Sequence, residues 1–87
     1  MKTYNEEYLK IAHKGSFENK TEVSKTELCG CFYCQATFPS NEIENFIKER
    51  TGKETAFCPK CGIDSVLDST FPILDKTFME TMHRSWF

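Results

Sequence analysis

Four of the five cysteines of this chain form two pairs whose spacing suits metal binding. The pairs are Cys31-Phe-Tyr-Cys34 and Cys58-Pro-Lys-Cys61, and they are separated by residues 35–57. Each C-x-x-C knuckle lets two sulfurs approach one ion from a single tight turn, and two knuckles at this separation are typical of four-thiolate zinc sites. The sequence therefore predicts that Cys31, Cys34, Cys58 and Cys61 bind one structural zinc ion.

Four thiolates complete a tetrahedral site and leave no open position for a catalytic water. Catalytic zinc sites usually include histidine or carboxylate ligands, but His13 and His83 belong to no recognisable ligand motif and are interpreted as surface or boundary residues. Asp64 and Asp68 could in principle do acid–base chemistry, but without a partner motif a solvated or turn-capping role is favoured. We predict a protein that is not an enzyme, with no catalytic residue.

Iron is the main alternative metal, because two knuckles of which the second reads C-P-x-C-G also resemble the rubredoxin site. A red, redox-active protein would identify iron. The fifth cysteine, Cys29, could replace Cys31 as a ligand, but the two-residue knuckle makes the better turn. We interpret Cys29 as a small, half-buried side chain outside the site, with a redox-sensitive thiol as the alternative.

Short β-hairpins and a helix are predicted to position the knuckles within a zinc module over residues 29–70. Aromatic residues in the first knuckle are expected where it opens a hairpin whose rings cover the sulfurs. Ile43, Phe46 and Ile47 recur at i, i+3 and i+4 after a possible N-cap, so we predict a helix over residues 41–50 between the knuckles.

The second knuckle is predicted to lie between two strands that pair with each other over the metal. Thr55-Ala-Phe57 precedes this knuckle, and Val66 and Leu67 follow it. We expect the backbone N–H of Gly62 to donate to a thiolate, and glycine at that position permits a left-handed turn.

Helices are predicted to flank the zinc module on both sides. In residues 1–28 a capping box at Thr3-Tyr-Asn-Glu6 begins an amphipathic helix that ends near Gly15, and a polar connector with a short helix around 20–27 follows. The apolar stripe of the first helix is predicted to consist of Tyr4, Tyr8, Ile11 and Ala12. In residues 71–87 Asp75 caps a last helix in which Phe78, Met82 and Trp86 repeat every four residues.

Together these elements predict a small α+β metal-bound domain of zinc-ribbon or treble-clef-like type. It would have short β-hairpins, a helix between the knuckles and flanking N- and C-terminal helices. At 87 residues the chain is one folded domain, of a size that commonly needs a metal or disulfides for stability. No apolar run is long enough for a signal peptide or a membrane span, so we expect a soluble cytoplasmic protein, where cysteines bind metal more often than they form disulfides.

The charge balance argues against binding of duplex nucleic acid. The formal net charge is −2, and four zinc-bound thiolates would make it more negative. Duplex binding depends on a concentrated basic surface, and none is evident. A ribbon that binds nucleic acid through exposed aromatic residues remains the alternative function, with scattered cations at Lys48, Arg50, Lys53 and Lys60.

The chain resembles a family of small bacterial cytoplasmic proteins of uncharacterised activity that are described as zinc-ribbon-like. The resemblance is carried by Cys-Phe-Tyr-Cys, by Thr-Ala-Phe-Cys-Pro-Lys-Cys-Gly-Ile-Asp-Ser-Val-Leu, and by the Trp-Phe end. It implies that Cys31, Cys34, Cys58 and Cys61 are metal ligands, and it places Ile63-Asp-Ser-Val66 in the family signature. No activity follows from it.

These observations favour a zinc-stabilised, non-enzymatic adaptor that binds a partner protein or its own copy through C-terminal aromatic residues. The candidate surface consists of Phe71, Phe78, Trp86 and Phe87. The terminal Trp-Phe is unusually apolar for the end of a chain, and it is expected either to fold back on the core or to form an interface. A rubredoxin-like electron carrier and an enzyme that uses Asp64 or Asp68 are the weaker alternatives.

Overall fold

The computed structural model describes residues 4–87, which form three α-helices, a short 3-10 helix and five strands. The helices are α1 (Glu6–Lys14), α2 (Lys20–Lys25) and α3 (Lys76–Trp86), and the 3-10 helix is Ser40–Glu42. The strands are β1 (Leu28–Cys31), β2 (Thr37–Pro39), β3 (Phe46–Lys48), β4 (Glu54–Ala56) and β5 (Val66–Asp68). The predicted small α+β architecture is confirmed, whereas the zinc-ribbon type stays a prediction.

The strands form two separate antiparallel sheets. One has the order β2-β1-β5 and the other is the β3-β4 hairpin. Gly30 in the central strand pairs with Thr37 on one side and with Leu67 on the other. The first knuckle joins β1 to β2, as the hairpin prediction required. The predicted pairing of the strands around the second knuckle is wrong, because β4 pairs with β3 and β5 pairs with β1.

The helix predicted over residues 41–50 is also wrong. Only one 3-10 turn forms there, and the chain then extends into β3. Phe46, Ile47 and Lys48 pair with β4, and Gly52 adopts φ +91°, so it serves the turn of this hairpin rather than the end of a helix. Ile43 is buried while Ile47 is exposed, so the i, i+4 spacing does not mark one apolar face.

Helix α1 confirms the predicted N-terminal helix but changes its details. The cap is Asn5, whose Oδ1 accepts from the backbone N–H of Tyr8 at 2.7 Å, and Thr3 of the predicted capping box lies outside the described residues. Ile11 of the predicted stripe is exposed, and Leu9 is buried instead. Helix α3 begins as predicted, because Asp75 Oδ1 accepts from the backbone N–H of Thr77 at 3.0 Å.

The three-stranded sheet separates two apolar cores. The first core, on the side of α1 and α3, contains Leu9, Ala12, Phe32, Leu67, Ile73, Phe78, Met79 and Met82. The second core contains Val23, Cys29, Cys31, Phe38, Ile43, Ala56, Cys58 and Val66. Val66 and Leu67 point into different cores because successive side chains of a strand alternate between its faces.

Gly30 allows close packing on the helical side of the sheet. A Cβ atom at this position would lie 3.0 Å from Ile73 Cβ and 3.0 Å from Met79 Cε. The absent side chain therefore lets α3 approach β1.

None of the helices within residues 4–87 is long and apolar enough to cross a lipid bilayer.

Candidate metal centre

The structure brings together the four cysteines that the sequence predicts as ligands. The Sγ atoms of Cys31, Cys34, Cys58 and Cys61 all lie within 4.8 Å of one another. Cys31 Sγ is 3.7 Å from Cys61 Sγ, and Cys34 Sγ is 3.8 Å from Cys58 Sγ. All four are free thiols rather than disulfides.

These separations fit a tetrahedral metal site. Four sulfurs placed about 2.3 Å from one zinc ion at tetrahedral angles are about 3.8 Å apart. Two of the four sulfur pairs that connect the knuckles, Cys31 with Cys61 and Cys34 with Cys58, match that distance. The four thiols can therefore hold a metal ion with little rearrangement.

The two knuckles are turns of the same form. In the first, the carbonyl of Cys31 accepts from the backbone N–H of Gln35 at 2.7 Å; in the second, the carbonyl of Cys58 accepts from that of Gly62 at 2.9 Å. Gln35 has φ +63° and Gly62 has φ +80°, so the residue after each knuckle is left-handed. The left-handed turn predicted at Gly62 is confirmed.

A second backbone hydrogen bond closes each turn, between the first cysteine of the knuckle and the residue five positions later. The N–H of Cys31 donates to the carbonyl of Ala36, and the N–H of Cys58 donates to that of Ile63, both at 2.9 Å. The N–H of Gly62 therefore donates to a carbonyl and not to a thiolate, which corrects the expectation. The Cys58 sulfur instead accepts from the N–H of Lys60, at 3.3 Å, as one of its backbone donors.

The pKa values of three cysteines in the cluster are shifted, and not all in the same direction. Burial raises the pKa of Cys31, and burial also raises the pKa of Cys61. Burial acts in the same direction at Cys58, but backbone donors from Cys61 and Lys60 help to outweigh it, and the pKa of Cys58 is lowered. A metal ion that replaces the thiol protons would compensate the cost of burying these sulfurs as thiolates.

The site is buried on one side and open on the other. Cys31 and Cys58 are buried in the second core, whereas Cys61 is half-buried and Cys34 is exposed. Two of the four cysteine residues are therefore at least partly accessible to solvent.

Cys29 lies outside the cluster and is fully buried rather than half-buried as predicted. It stands on β1 opposite Asp68 of β5. Burial, and to a smaller extent the Asp68 carboxylate, raises the pKa of Cys29 to about 11. A neutral, enclosed thiol is a poor nucleophile, so the structure supports a packing role for this residue.

Asn19 connects the two sheets around the metal centre, and the sequence analysis missed it. Its Nδ2 donates to the carbonyl of Val66 on β5 at 2.7 Å, and its Oδ1 accepts from the backbone N–H of Ala56 on β4 at 3.0 Å. The side chain is 2% exposed. Its only sequence signal is an asparagine before a short polar helix, which indicates an N-cap and not a bridge between sheets.

The other predicted candidates lie apart from the four sulfurs. His13 stacks on Trp86 with ring centroids 4.4 Å apart. His83 Nδ1 lies 3.2 Å from the carbonyl oxygen of Phe32. Because a carbonyl can only accept, Nδ1–H of His83 is the donor. Asp68 is buried and accepts from the hydroxyl of Thr70 at 2.8 Å.

The C-terminal aromatic residues predicted as a surface are divided by the fold. Phe78 is fully buried in the first core, so it is not available to a partner. Phe71 and Trp86 are half-buried and packed against that core. Phe87 is 55% exposed and packs edge to face on Tyr33 of the first knuckle, with centroids 4.7 Å apart.

The predicted cations are spread over the surface. Lys48, Arg50 and Lys53 are exposed on or beside the β3-β4 hairpin. Lys60 forms an ion pair with Glu42 at 2.9 Å. Glu49 and Glu54 lie in the same hairpin, so acidic groups interrupt the basic ones.

Comparisons with protein-family models, with curated proteins and with solved structures found no match to this chain. The resemblance to zinc-ribbon-like bacterial proteins therefore stays a prediction.

Proposed function

We propose that this chain is a non-enzymatic protein-interaction module stabilised by one structural zinc ion. The ligands would be Cys31, Cys34, Cys58 and Cys61. The observation that carries the proposal is the set of four sulfurs within 4.8 Å of one another, held by two turns of the same form. Zinc is the usual occupant of closed four-thiolate structural sites.

Exposed aromatic side chains close to the knuckles support an interaction role. Phe17 is 52% exposed, Tyr33 is 41% exposed, and Phe87 packs on Tyr33. Tyr33 belongs to the first knuckle, so a metal ion bound there would fix its position. Large exposed aromatic residues are favoured at protein interfaces, because each buries much apolar area while losing few rotamers.

The proposal extends to the cellular setting that the resemblance implies. A small bacterial cytoplasmic protein would keep its cysteines reduced and available to metal. Association with a partner protein or with a second copy of the chain is equally compatible with an exposed aromatic surface.

Metal analysis tests the first half of the proposal. We expect one zinc ion per chain in the purified protein, and near-complete loss of zinc in Cys58→Ala. Cys29→Ala is the matched control, because Cys29 is also buried but lies outside the cluster, and it should keep its zinc. A red protein with stoichiometric iron, or a Cys29→Ala variant that loses its metal, would contradict the proposal.

Crosslinking in cells of the source organism tests the second half. A partner or second copy recovered with the wild type should be lost when Tyr33 and Phe87 are both changed to alanine. Leu74→Ala is the control, because Leu74 is the most exposed large apolar residue within residues 4–87 and belongs to neither knuckle. Salt-dependent binding of a single-stranded oligonucleotide, with no protein partner, would favour the nucleic-acid alternative instead.

A further inference from the structure

A groove with a volume of about 460 Å³ lies beside the metal centre, between the end of α1, the loop after the second knuckle and the end of α3. Trp86 and Phe32 form its deeper apolar lining, and Phe17 and Phe87 line it at the surface. We call this feature the aromatic groove. Its volume lies within the range of ligand sites, about 300 to 1,000 Å³.

Two aromatic side chains at the groove remain available for contact. Phe17 is 52% exposed and Phe87 is 55% exposed. Phe17 belongs to neither buried core and stands in the short turn after α1. An isolated exposed phenylalanine needs no explanation, but two of them along one groove form a site that can hold an aromatic ring.

The same groove carries one charge of each sign. Lys14 and Asp64 both line it, and both are exposed. Neither side chain has an ion-pair partner among residues 4–87. His13 also lines the groove, and its neutral form is favoured by burial, which lowers its pKa.

We propose that the aromatic groove binds an extended segment of a partner protein that inserts one aromatic side chain between Phe17 and Phe87. The segment would carry an acidic residue on one side of that ring, near Lys14, and a basic residue on the other, near Asp64. This inference rests on the proposed interaction function and specifies the partner's chemistry.

Charge and shape favour a peptide segment over other ligands. The groove is about half open to solvent. It would therefore leave much of a free small molecule in water, whereas ligand sites usually bury most of their ligand. A single-stranded nucleic acid could stack a base on the rings, but Asp64 would repel its phosphates in a protein that is already acidic. A peptide with charges of both signs satisfies Lys14 and Asp64 together.

Selection from a phage-displayed library of short random peptides on the zinc-loaded full chain tests this inference. We expect enriched sequences to share one aromatic residue with an acidic residue on one side and a basic residue on the other. Phe17→Ala should weaken binding of the enriched peptide about tenfold or more, as judged by titration calorimetry. Leu74→Ala is the matched exposed control and should have no effect.

A charge exchange gives the sharpest readout. The double variant with Lys14→Glu and Asp64→Lys should select peptides with the order of the two charges reversed, whereas Lys48→Glu, outside the groove, should not. Enrichment that is insensitive to Phe17→Ala would overturn the inference but leave the interaction function intact. Absence of enrichment would overturn it too, and so would equal affinity for free tryptophan amide, since that result indicates a small-molecule site.

Discussion

Gly62 and Gln35 occupy equivalent positions, each directly after the second cysteine of a knuckle. The left-handed backbone at these positions favours glycine, so Gly62 suits it and Gln35 does not. Both have positive φ, +80° and +63° respectively. A Cβ on Gly62 would meet no heavy atom within 4 Å among residues 4–87, so a side chain there would add backbone strain without a clash. Left-handed backbone costs a residue with a Cβ atom about 1 to 2 kcal/mol.

We therefore expect Gly62→Ala to lower the free energy of unfolding by about 1 to 2 kcal/mol, measured by urea denaturation at fixed excess zinc. Gln35→Gly is the reciprocal control and should stabilise the protein or leave it unchanged. A Gly62→Ala protein as stable as the wild type would show that the second turn is not held in this conformation.

His13 makes stability depend on pH below neutrality. Burial lowers its pKa, and the Asp64 carboxylate opposes this only in part. Because the folded pKa lies below the unfolded value of about 6.5, the contribution is fully present above pH 6.5 and is lost as pH falls through the lowered pKa. Protonation would charge a ring that stacks on Trp86.

The expected result is a wild-type unfolding free energy that falls, between pH 7 and about 5.5, more steeply than that of His13→Phe. The variant keeps an aromatic ring but cannot titrate, so thiolate protonation and zinc release affect both proteins alike and cancel in the difference. Parallel pH profiles, or an NMR titration of His13 at or above pH 6.5, would contradict the argument.

The cluster of four thiols was predictable because the spacing of its cysteines is local in sequence. Two sulfurs three residues apart must share a turn, and two such turns suit one ion. The burial of Cys29 was not predictable from the sequence, because it follows from the pairing of β1 with β5 about forty residues later in the chain.

At the scale of elements, the two sheets have no strand pairing between them within residues 4–87, and a buried side chain bridges them. Asn19 bonds to Val66 on β5 and to Ala56 on β4. Removing it leaves a buried carbonyl and a buried N–H without partners, at about 1 to 3 kcal/mol for each.

Asn19→Ala should therefore destabilise the protein by about 2 to 6 kcal/mol, measured by chemical denaturation with zinc in excess. Asn19→Asp keeps the acceptor for Ala56 but loses the donor to Val66, so it should also destabilise the fold. Asn41→Ala, at an exposed position, is the control and should change stability by less than about 0.5 kcal/mol. An Asn19→Ala protein with wild-type stability would mean that the sheets do not depend on this bridge.

The outer helices were predictable from their caps and apolar spacing, and the hairpin between the knuckles was not. Asp75 caps α3, and apolar residues recur every four positions along this helix. The local preference for a helix and the tertiary packing therefore favour the same structure. In residues 41–50 the spacing of Ile43, Phe46 and Ile47 suits a helix, but pairing with β4 decides the outcome. Propensity is a weak prior that such tertiary contacts override.

For the whole molecule, the metal should determine whether the chain folds. Cys31 and Cys58 are members of the second core, so the thiols that would bind the ion also pack the sheets. Phe32 lies next to Cys31 and belongs to the first core, which couples the helices to the knuckle.

Chelation of the metal should therefore reduce both far-UV circular dichroism and the fluorescence signature of Trp86. With zinc buffered at about one thousand times its dissociation constant, unfolding should require about 4 kcal/mol more than in apoprotein, and Tm should rise with free zinc. Cys58→Ala should show no such dependence. A chelated protein with an unchanged Tm would show that the bound metal does not stabilise the fold.

The turn of the β3-β4 hairpin divides the chain into two pieces that each carry one complete knuckle. Thr51 and Gly52 are exposed there, so a cut or a permuted chain end at this turn removes no buried contact. The two pieces would meet at the four sulfurs and at the Asn19 bridge. We expect residues 1–51 and 52–87, produced separately, to reassemble when zinc is added and to separate on chelation, as seen by size-exclusion chromatography. The fold would then work as a split protein whose reassembly is switched by a thiophilic cation.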